Sequence, residues 1–447
     1  MGCQGPRDPL TATAPVLRAG TPAQAGLDAA ELDLLVRDVR RLTEGDDPWC
    51  AGAVVLAGRG PVVAVSEAAG WAVRYAAYDA GTGRGVELPD PGTASAGPGG
   101  AAKRPGGAAE RPGGAAERPG GAAERSGRAA ERSGGAAVPG RAEKVAMRTG
   151  TRFDLASLTK LFTAVVAVRQ VERGDLVLDR PVAAYLPAFG AAGKAAVTVR
   201  QLLTHTSGLR PELPFHEREG RADRLALLWE EPPAAAPGTA HVYSDLNLIA
   251  LQAVLEQVTG QGLDVLVRDG VTGPLGMTAT GFGPFGSEED MAATEDQRRP
   301  WAKLDRGMLR GEVHDENAYA LGGVAGHAGL FSTAGDLAVL CRALLNGGAY
   351  GSERILAAES VDALLDPPGL GFGTDQPWFM GELAGRGAAG HTGFTGTSLV
   401  LDRATDTFLV LLATTVHPRR RPADSRPRAA AATRLARAVR AAETGEA

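Results

Sequence analysis

Ser157 and Lys160 stand three residues apart in TRFDLASLTKLFTAVVAV, residues 151–168, just ahead of an apolar run from Leu161 to Val168. On a helix beginning near Ala156, that spacing puts both side chains on one face, a single turn apart. A serine hydroxyl is a weak nucleophile at neutral pH and needs a base beside it. Lysine can be that base when burial lowers its pKa, and the apolar run offers a dry setting. Arginine cannot replace it, because the guanidinium does not release its proton. The chain holds only five lysines among 47 basic residues. With 13 serines in 447 residues, chance would give about 0.15 Ser-x-x-Lys pairs.

Two further motifs follow. Tyr243-Ser244-Asp245 opens an apolar helical pattern in HVYSDLNLIALQAVLEQVTG (241–260), and His391-Thr392-Gly393 enters a hairpin in GHTGFTGTSLV (390–400). In this order, Ser-x-x-Lys, Tyr-x-Asn-like and Lys/His-Thr-Gly, the chain resembles the β-lactamase-related serine hydrolases: class C β-lactamases, D-alanyl-D-alanine carboxypeptidases and related esterases. The resemblance spans about residues 50–415 and takes in VRQLLTHTSGL (199–209) and HDENAYALGGVAGHAGLFSTAGDLA (314–338).

The resemblance implies an α+β fold, a β-lactamase/transpeptidase-like antiparallel sheet flanked by helices with a mostly helical lobe. It implies that Ser157 is acylated, that Lys160 and Tyr243 share the proton traffic, and that no cofactor takes part. By the same analogy the backbone N–H groups of Ser157 and Phe394 form an oxyanion hole. Thr392 and Gly393 line the strand where substrate lies, with Asp245 and His391 also facing substrate. The chain departs from the family pattern at two of these positions. Asp245 replaces the commoner asparagine, and a carboxylate near Lys160 favours the ammonium and moves the base role towards Tyr243. His391 replaces the lysine of β-lactamases and makes any anchoring of a substrate carboxylate pH-dependent. The expected activity is therefore hydrolysis of an ester or amide, as an esterase or carboxypeptidase more than an efficient β-lactamase. The alternative is a non-catalytic, penicillin-recognition-like binding or regulatory protein.

Other residues read as structural. His205 and His327 suit hydrogen-bonding roles better than catalysis. The seven histidines show no HExxH, and His314-Asp315-Glu316 lacks a partner at ligand spacing, so no metal is expected. Serine never occurs in Gly-x-Ser-x-Gly, and LGGVAGHAG (321–329) does not match a phosphate loop. Three distant cysteines suggest buried hydrophobes, not a disulfide frame. A net charge of -5 gives no basic surface for nucleic acid. The expected partner is a small-molecule ester, amide or peptide substrate. No apolar run reaches membrane-spanning length, and the N-terminus lacks an apolar signal region, giving a cytoplasmic expectation, or an exported protein if the true N-terminus lies upstream. The sequence leaves the oligomeric state open.

The elements that must position these residues are legible in outline. Residues 25–42 read as a surface helix, and two β-prone runs flank Gly58-Arg59-Gly60. Strands are expected at Ser398–Leu401 and Thr407–Thr415 around a turn, with helices between, one closed by Gly260 and one running from Ser332 to Gly347. Strands at both ends and helices between them predict one sheet whose terminal strands meet. The expected organisation is a flexible stretch over 1–24, a catalytic domain over 25–417 and a basic Pro/Ala-rich tail over 418–447, whose end is either a helix or a loose tail. Within the domain, residues 90–142 carry a seven-residue Gly/Ala/Arg/Glu repeat with no large apolar residue. They read as a disordered insertion.

Overall fold

The computed structural model describes residues 13–92 and 143–445. The central sheet runs Arg18–Ala19, Val62–Val73, Gly52–Arg59, Thr407–Ala413, Ser398–Asp402, Ala389–Thr392, Gly373–Thr374, with Val145–Ala146 added on Val62–Val73. Neighbours are antiparallel except for the first pair. The two hairpins join where Gly52–Arg59 pairs with Thr407–Ala413, Arg59 opposite Thr407 through to Ala53 opposite Ala413. Strands from the two ends of the chain thus meet, as the element order predicts.

Side chains alternate across this sheet. Val54, Leu56, Phe408, Val410 and Leu412 enter the larger core, shared with the helical lobe. Ala53, Val55, Ala57, Leu409 and Leu411 enter a second core on the opposite face. Burial on both faces explains why these strands read as continuous apolar runs rather than alternating ones. Within the lobe, the helix Thr159–Glu172 is buried from Thr159 to Val168. From Leu161 to Val168 it is buried on every face, as a central helix requires. The helix Ala334–Leu345 is capped one residue later than expected, by Thr333, because Ser332 belongs to a strand.

The second core corrects both expected ends of the domain. Residues 426–444, expected as tail, form the helix Arg426–Thr444, which packs on Ala29–Arg41. Ala431, Ala432, Leu435, Ala436 and Val439 are buried beside Leu32, Leu35 and Val39. Arg434 bonds Glu31 and Asp38 on the neighbouring helix at 3.1 and 2.9 Å. The Ala/Arg composition that looked like a solvated tail is a small-residue face with an ionic border. At the other end, the flexible reading also yields from residue 13. Arg18–Ala19 pairs in parallel with Val62 and Val63, and Thr21 caps a short helix. The expected disordered insertion falls, from residue 93 to 142, outside the described residues. Its flanks meet: Lys144 N–H donates to the Pro89 carbonyl at 2.8 Å, and the Lys144 ammonium lies 2.7 Å from Glu87.

Candidate active site

Ser157 sits on a single 3-10 turn, Ala156–Leu158, which feeds the helix starting at Thr159. The expected α-helix from Ala156 is tightened here, and Ala156 has φ +47°. That conformation is costly for a residue with a β-carbon and must be held from outside. Asp154 holds it: its buried carboxylate accepts from Ala156 N–H at 2.8 Å and from His314 N–H at 2.6 Å. Strain is thus stored one residue before the serine.

Lys160 lies beneath Ser157, fully buried, its ammonium 2.8 Å from the Ser157 hydroxyl and 3.1 Å from the His327 carbonyl. Asp245 Oδ1 is 2.8 Å away on the other side. Burial alone would pull this lysine down, but Asp245 and the Tyr243 hydroxyl outweigh it and hold its pKa above the ordinary lysine value. The dry setting therefore does not make Lys160 a free base; the ion pair decides. Asp245 is turned to Lys160, the neighbour expected for its carboxylate, because it opens the helix Asp245–Thr259 that packs against the lysine's own helix. Tyr243 is 41% exposed, yet its hydroxyl interacts with both Lys160 and Ser157. Burial of that hydroxyl raises its pKa, against the pull of Lys160.

The edge of the sheet closes the other side. His391 and Thr392 end the strand Ala389–Thr392, and the turn 393–397 is stitched to the segment before Ser157. Thr395 and Thr397 hydroxyls donate to the carbonyls of Asp154 and Leu155 at 2.8 and 3.0 Å. A β-carbon on Gly393 would meet Thr397 Oγ1 at 2.1 Å and the Leu155 carbonyl at 2.4 Å. Only glycine permits this approach. Phe394, 53% exposed, follows at the mouth of the site.

The Beta-lactamase family profile matches residues 107–433 of this chain. The chain belongs to the beta-lactamase family of serine hydrolases. It is 35% identical over 311 residues to an Escherichia coli K12 protein named "Putative D-alanyl-D-alanine carboxypeptidase", covering 62% of this chain and 71% of that one. It is likewise 35% identical over 306 residues to the N-acetylmuramyl-L-alanine amidase of Bacillus subtilis 168, covering 61% and 69%. A penicillin-binding protein homologue from Caulobacter crescentus shares the fold at a TM-score of 0.61 and 20% identity, over 92% of this chain and 98% of that one.

In this beta-lactamase family member, Ser157, Tyr243, His391, Thr392, Gly393 and Phe394 line one cavity of about 1020 Å³, while Lys160 and Asp245 lie behind its wall. His205, Tyr243 and His391 stack in a row, with ring centres 4.8 and 5.9 Å apart. His205 Nδ1 accepts from Ser244 N–H at 3.1 Å, which fixes the chain beside Tyr243. Burial, with Lys160 nearby, drops the His205 pKa to about 2 and the His391 pKa to about 4. His391 is therefore neutral across the neutral range and supplies no charge to a carboxylate there.

Family motifs in the sequence did not reveal three contributors. Asp154 gave no signal beyond its place in FDLASLTK. Asp315 bonds His327 Nε2 at 3.0 Å and, with Asp245, brings three ligating side chains within 4.8 Å. The Lys160 ammonium already supplies the positive charge at that cluster. Arg428, from the segment read as tail, reaches the Gly393 carbonyl at 3.0 Å. Cys50 and Cys341 are buried, as their isolation suggests, and burial pushes both thiols up to about 12. No helix among the described residues is long and apolar enough to cross a membrane.

Proposed function

We propose that this protein hydrolyses an amide or ester through a covalent acyl-enzyme on Ser157, at a scissile bond that no free carboxylate adjoins. The observation that carries the reading is the Lys160 ammonium, 2.8 Å from both the Ser157 hydroxyl and the Asp245 carboxylate. Lys160 can receive the serine proton while passing one of its own to Asp245, so its charge never changes. Ser157 Oγ attacks the carbonyl carbon, and the oxyanion faces the N–H groups of Ser157 and Phe394. The Ser157 N–H lies in the first turn of a helical segment, where backbone donors lack intrahelical acceptors. Tyr243, kept protonated by its raised pKa, donates its proton to the leaving group. Lys160 then reprotonates Tyr243, and Asp245 returns its proton to Lys160. Water repeats the cycle on the acyl-enzyme. The division of roles differs from the expected one, because a phenol with a raised pKa keeps its proton at neutral pH and is not present there as a base.

Substrate charge follows from the cavity wall. Among the described residues, the arginines lining it are already engaged: Arg421 with Asp47 at 2.8 Å, Arg426 with Asp424 at 2.8 Å, Arg428 with Gly393. Lys160 is paired and His391 is neutral. Arg428 has no carboxylate partner but is buried against the Gly393 carbonyl and the Ser425 hydroxyl. A C-terminal carboxylate beside the scissile bond thus finds no exposed, unengaged cation, which favours an internal amide or an ester over a carboxypeptidase substrate. Peptide-linked amides match the chemistry named for the B. subtilis relative.

The test is a panel of p-nitrophenyl esters, an N-acyl-L-alanine amide, a D-alanyl-D-alanine peptide and a chromogenic cephalosporin. Turnover of the ester and amide above the other two, abolished by Ser157→Ala, is expected. A fluorophosphonate should label Ser157. Labelling elsewhere, or binding without turnover, would replace this reading with the non-catalytic alternative.

A further inference from the structure

We infer that Arg428, carried by the C-terminal helix, is a positioning residue that sets the direction of the Phe394 N–H in the oxyanion hole; this rests on the acyl-enzyme reading above. Its buried guanidinium donates to the Gly393 carbonyl at 3.0 Å through Nη2 and to the Ser425 hydroxyl at 3.1 Å through Nη1. Gly393 C=O and Phe394 N–H belong to one peptide unit, and that unit is trans. In a planar trans peptide the two groups point in opposite directions. Whatever grips the carbonyl therefore aims the N–H. Gly396 N–H also donates to this carbonyl, at 3.1 Å, so it is held from two sides. Charge-assisted donation to a carbonyl polarises the whole peptide and strengthens its N–H as a donor.

The helix carrying Arg428 is itself fixed. Gly381 lies so close that a β-carbon there would meet the Ala429 carbonyl at 2.2 Å. Glu382 N–H donates to the Thr433 hydroxyl at 3.2 Å, and Arg437 bonds the Glu382 carboxylate at 2.7 Å. The Trp49 ring lies 5.8 Å from the Arg428 guanidinium carbon, against its face. Burial lowers the Arg428 pKa to about 10, which leaves it charged at neutral pH. A segment far from the motifs in sequence thus stiffens the peptide that follows His-Thr-Gly.

The experiment compares Arg428→Gln and Arg428→Lys with wild type, using a p-nitrophenyl ester and phenylboronic acid. The boronate forms a tetrahedral adduct on serine whose oxygen occupies the oxyanion position. Arg428→Gln is expected to lower kcat by about 10- to 100-fold, as for a weakened oxyanion donor. KM should change less than about threefold, and boronate affinity should fall by about the same factor as kcat/KM. Arg428→Lys, which keeps one charge-assisted donor, should recover part of both losses. A folded Arg428→Gln protein with wild-type kcat, or a loss confined to KM, would overturn the inference. If Arg428→Gln does not fold, Ser425→Ala removes only the Nη1 partner. It should lower kcat and boronate affinity together by about two- to fivefold, and unchanged values overturn the inference. An active Ser157→Ala protein would instead sink the acyl-enzyme reading itself.

Discussion

Lys160 and Asp245 form an ion pair of 2.8 Å that joins the two central helices directly beneath Ser157. Each residue opens or nearly opens its own helix, so the pair links the Ser-x-x-Lys motif to the Tyr-x-Asp motif. The lysine is fully buried, and the carboxylate is what keeps it protonated.

Replacing that carboxylate changes the charge state of the site. In Asp245→Asn, burial acts on Lys160 without opposition from a carboxylate, so its pKa falls. The alkaline limb of kcat/KM should move to lower pH by about one unit or more, and kcat should fall by about 100-fold with loss of the proton relay. The sign for stability follows from the same shift. A raised lysine pKa contributes fully below 10.5, its unfolded reference, and is lost only as pH rises through the folded value. Wild type should therefore keep this contribution throughout neutral pH. An alkaline limb that stays in place in Asp245→Asn would show that Asp245 does not set the lysine's charge.

Gly393→Ala tests the closeness of the sheet edge to the serine turn. The added β-carbon would lie 2.4 Å from the Leu155 carbonyl, a backbone atom, and 2.1 Å from Thr397 Oγ1. The hydroxyl can rotate away, but the carbonyl cannot. The expected cost is about 1–3 kcal/mol of stability from overpacking. Displacement of the Phe394 N–H should also lower kcat by about 100-fold. Chemical denaturation and steady-state kinetics on a p-nitrophenyl ester measure the two effects. Wild-type values for both would mean that the edge is free to shift.

The residues proposed to carry the chemistry were legible because each combines an unusual type with a fixed neighbour. Ser157 and Lys160 are three apart, Tyr243 precedes a helix, and His391-Thr392-Gly393 runs from the end of a strand into a hairpin turn. The hairpins were legible from their apolar runs, and their pairing from their places at the two ends of the chain. What stayed hidden depends on long-range contact. The Tyr-x-Asn-like motif already suggested a carboxylate near Lys160, but nothing local says that Asp154 pins Ala156 in a left-handed conformation. The C-terminal helix was one of two readings, and its packing on the domain was hidden for another reason. Its buried face is made mostly of alanine, which gives no strong periodicity, and its arginines suggest solvent although Arg428 is buried and Arg434 is ion-paired.

Acid should destabilise the fold through buried neutral histidines. His417 Nε2 accepts from Arg74 and Tyr75 N–H, both at 3.1 Å, and Nδ1 lies 3.0 Å from the Thr294 carbonyl. Both ring nitrogens are engaged in the neutral form, and burial lowers the pKa to about 4, as it does for His391. A histidine with a depressed folded pKa contributes stability above its unfolded value of about 6.5. That contribution is lost as pH falls from there towards 4. For His417 alone the loss between about pH 7.5 and pH 5 is on the order of 2 kcal/mol. Denaturant midpoints at the two pH values measure it, and equal midpoints would refute the buried neutral state.

The C-terminal helix should be part of the folding unit and not an appendage. Leu435 is fully buried in the core that also holds Leu32, Leu35 and Leu411. Truncating it removes apolar volume that the sheet and the helix Ala29–Arg41 cannot refill without moving, so Leu435→Ala should cost about 2–5 kcal/mol. Thr444 and Glu443 lie at the exposed end of the same helix. Ending the chain after Ala442 should therefore cost far less than the core substitution, because the contacts it removes are at the exposed helix end: the ion pair of Glu443 with Arg59 and the Thr444 hydroxyl's bonds to the Arg440 and Ala441 carbonyls. Ending it before Ser425 should leave Leu32, Leu35 and Val400 uncovered and yield no soluble, cooperatively melting protein. A truncation at that point that melts like wild type would return residues 425–445 to the status of a tail. It would also take from Arg428 any hold on the Gly393 peptide.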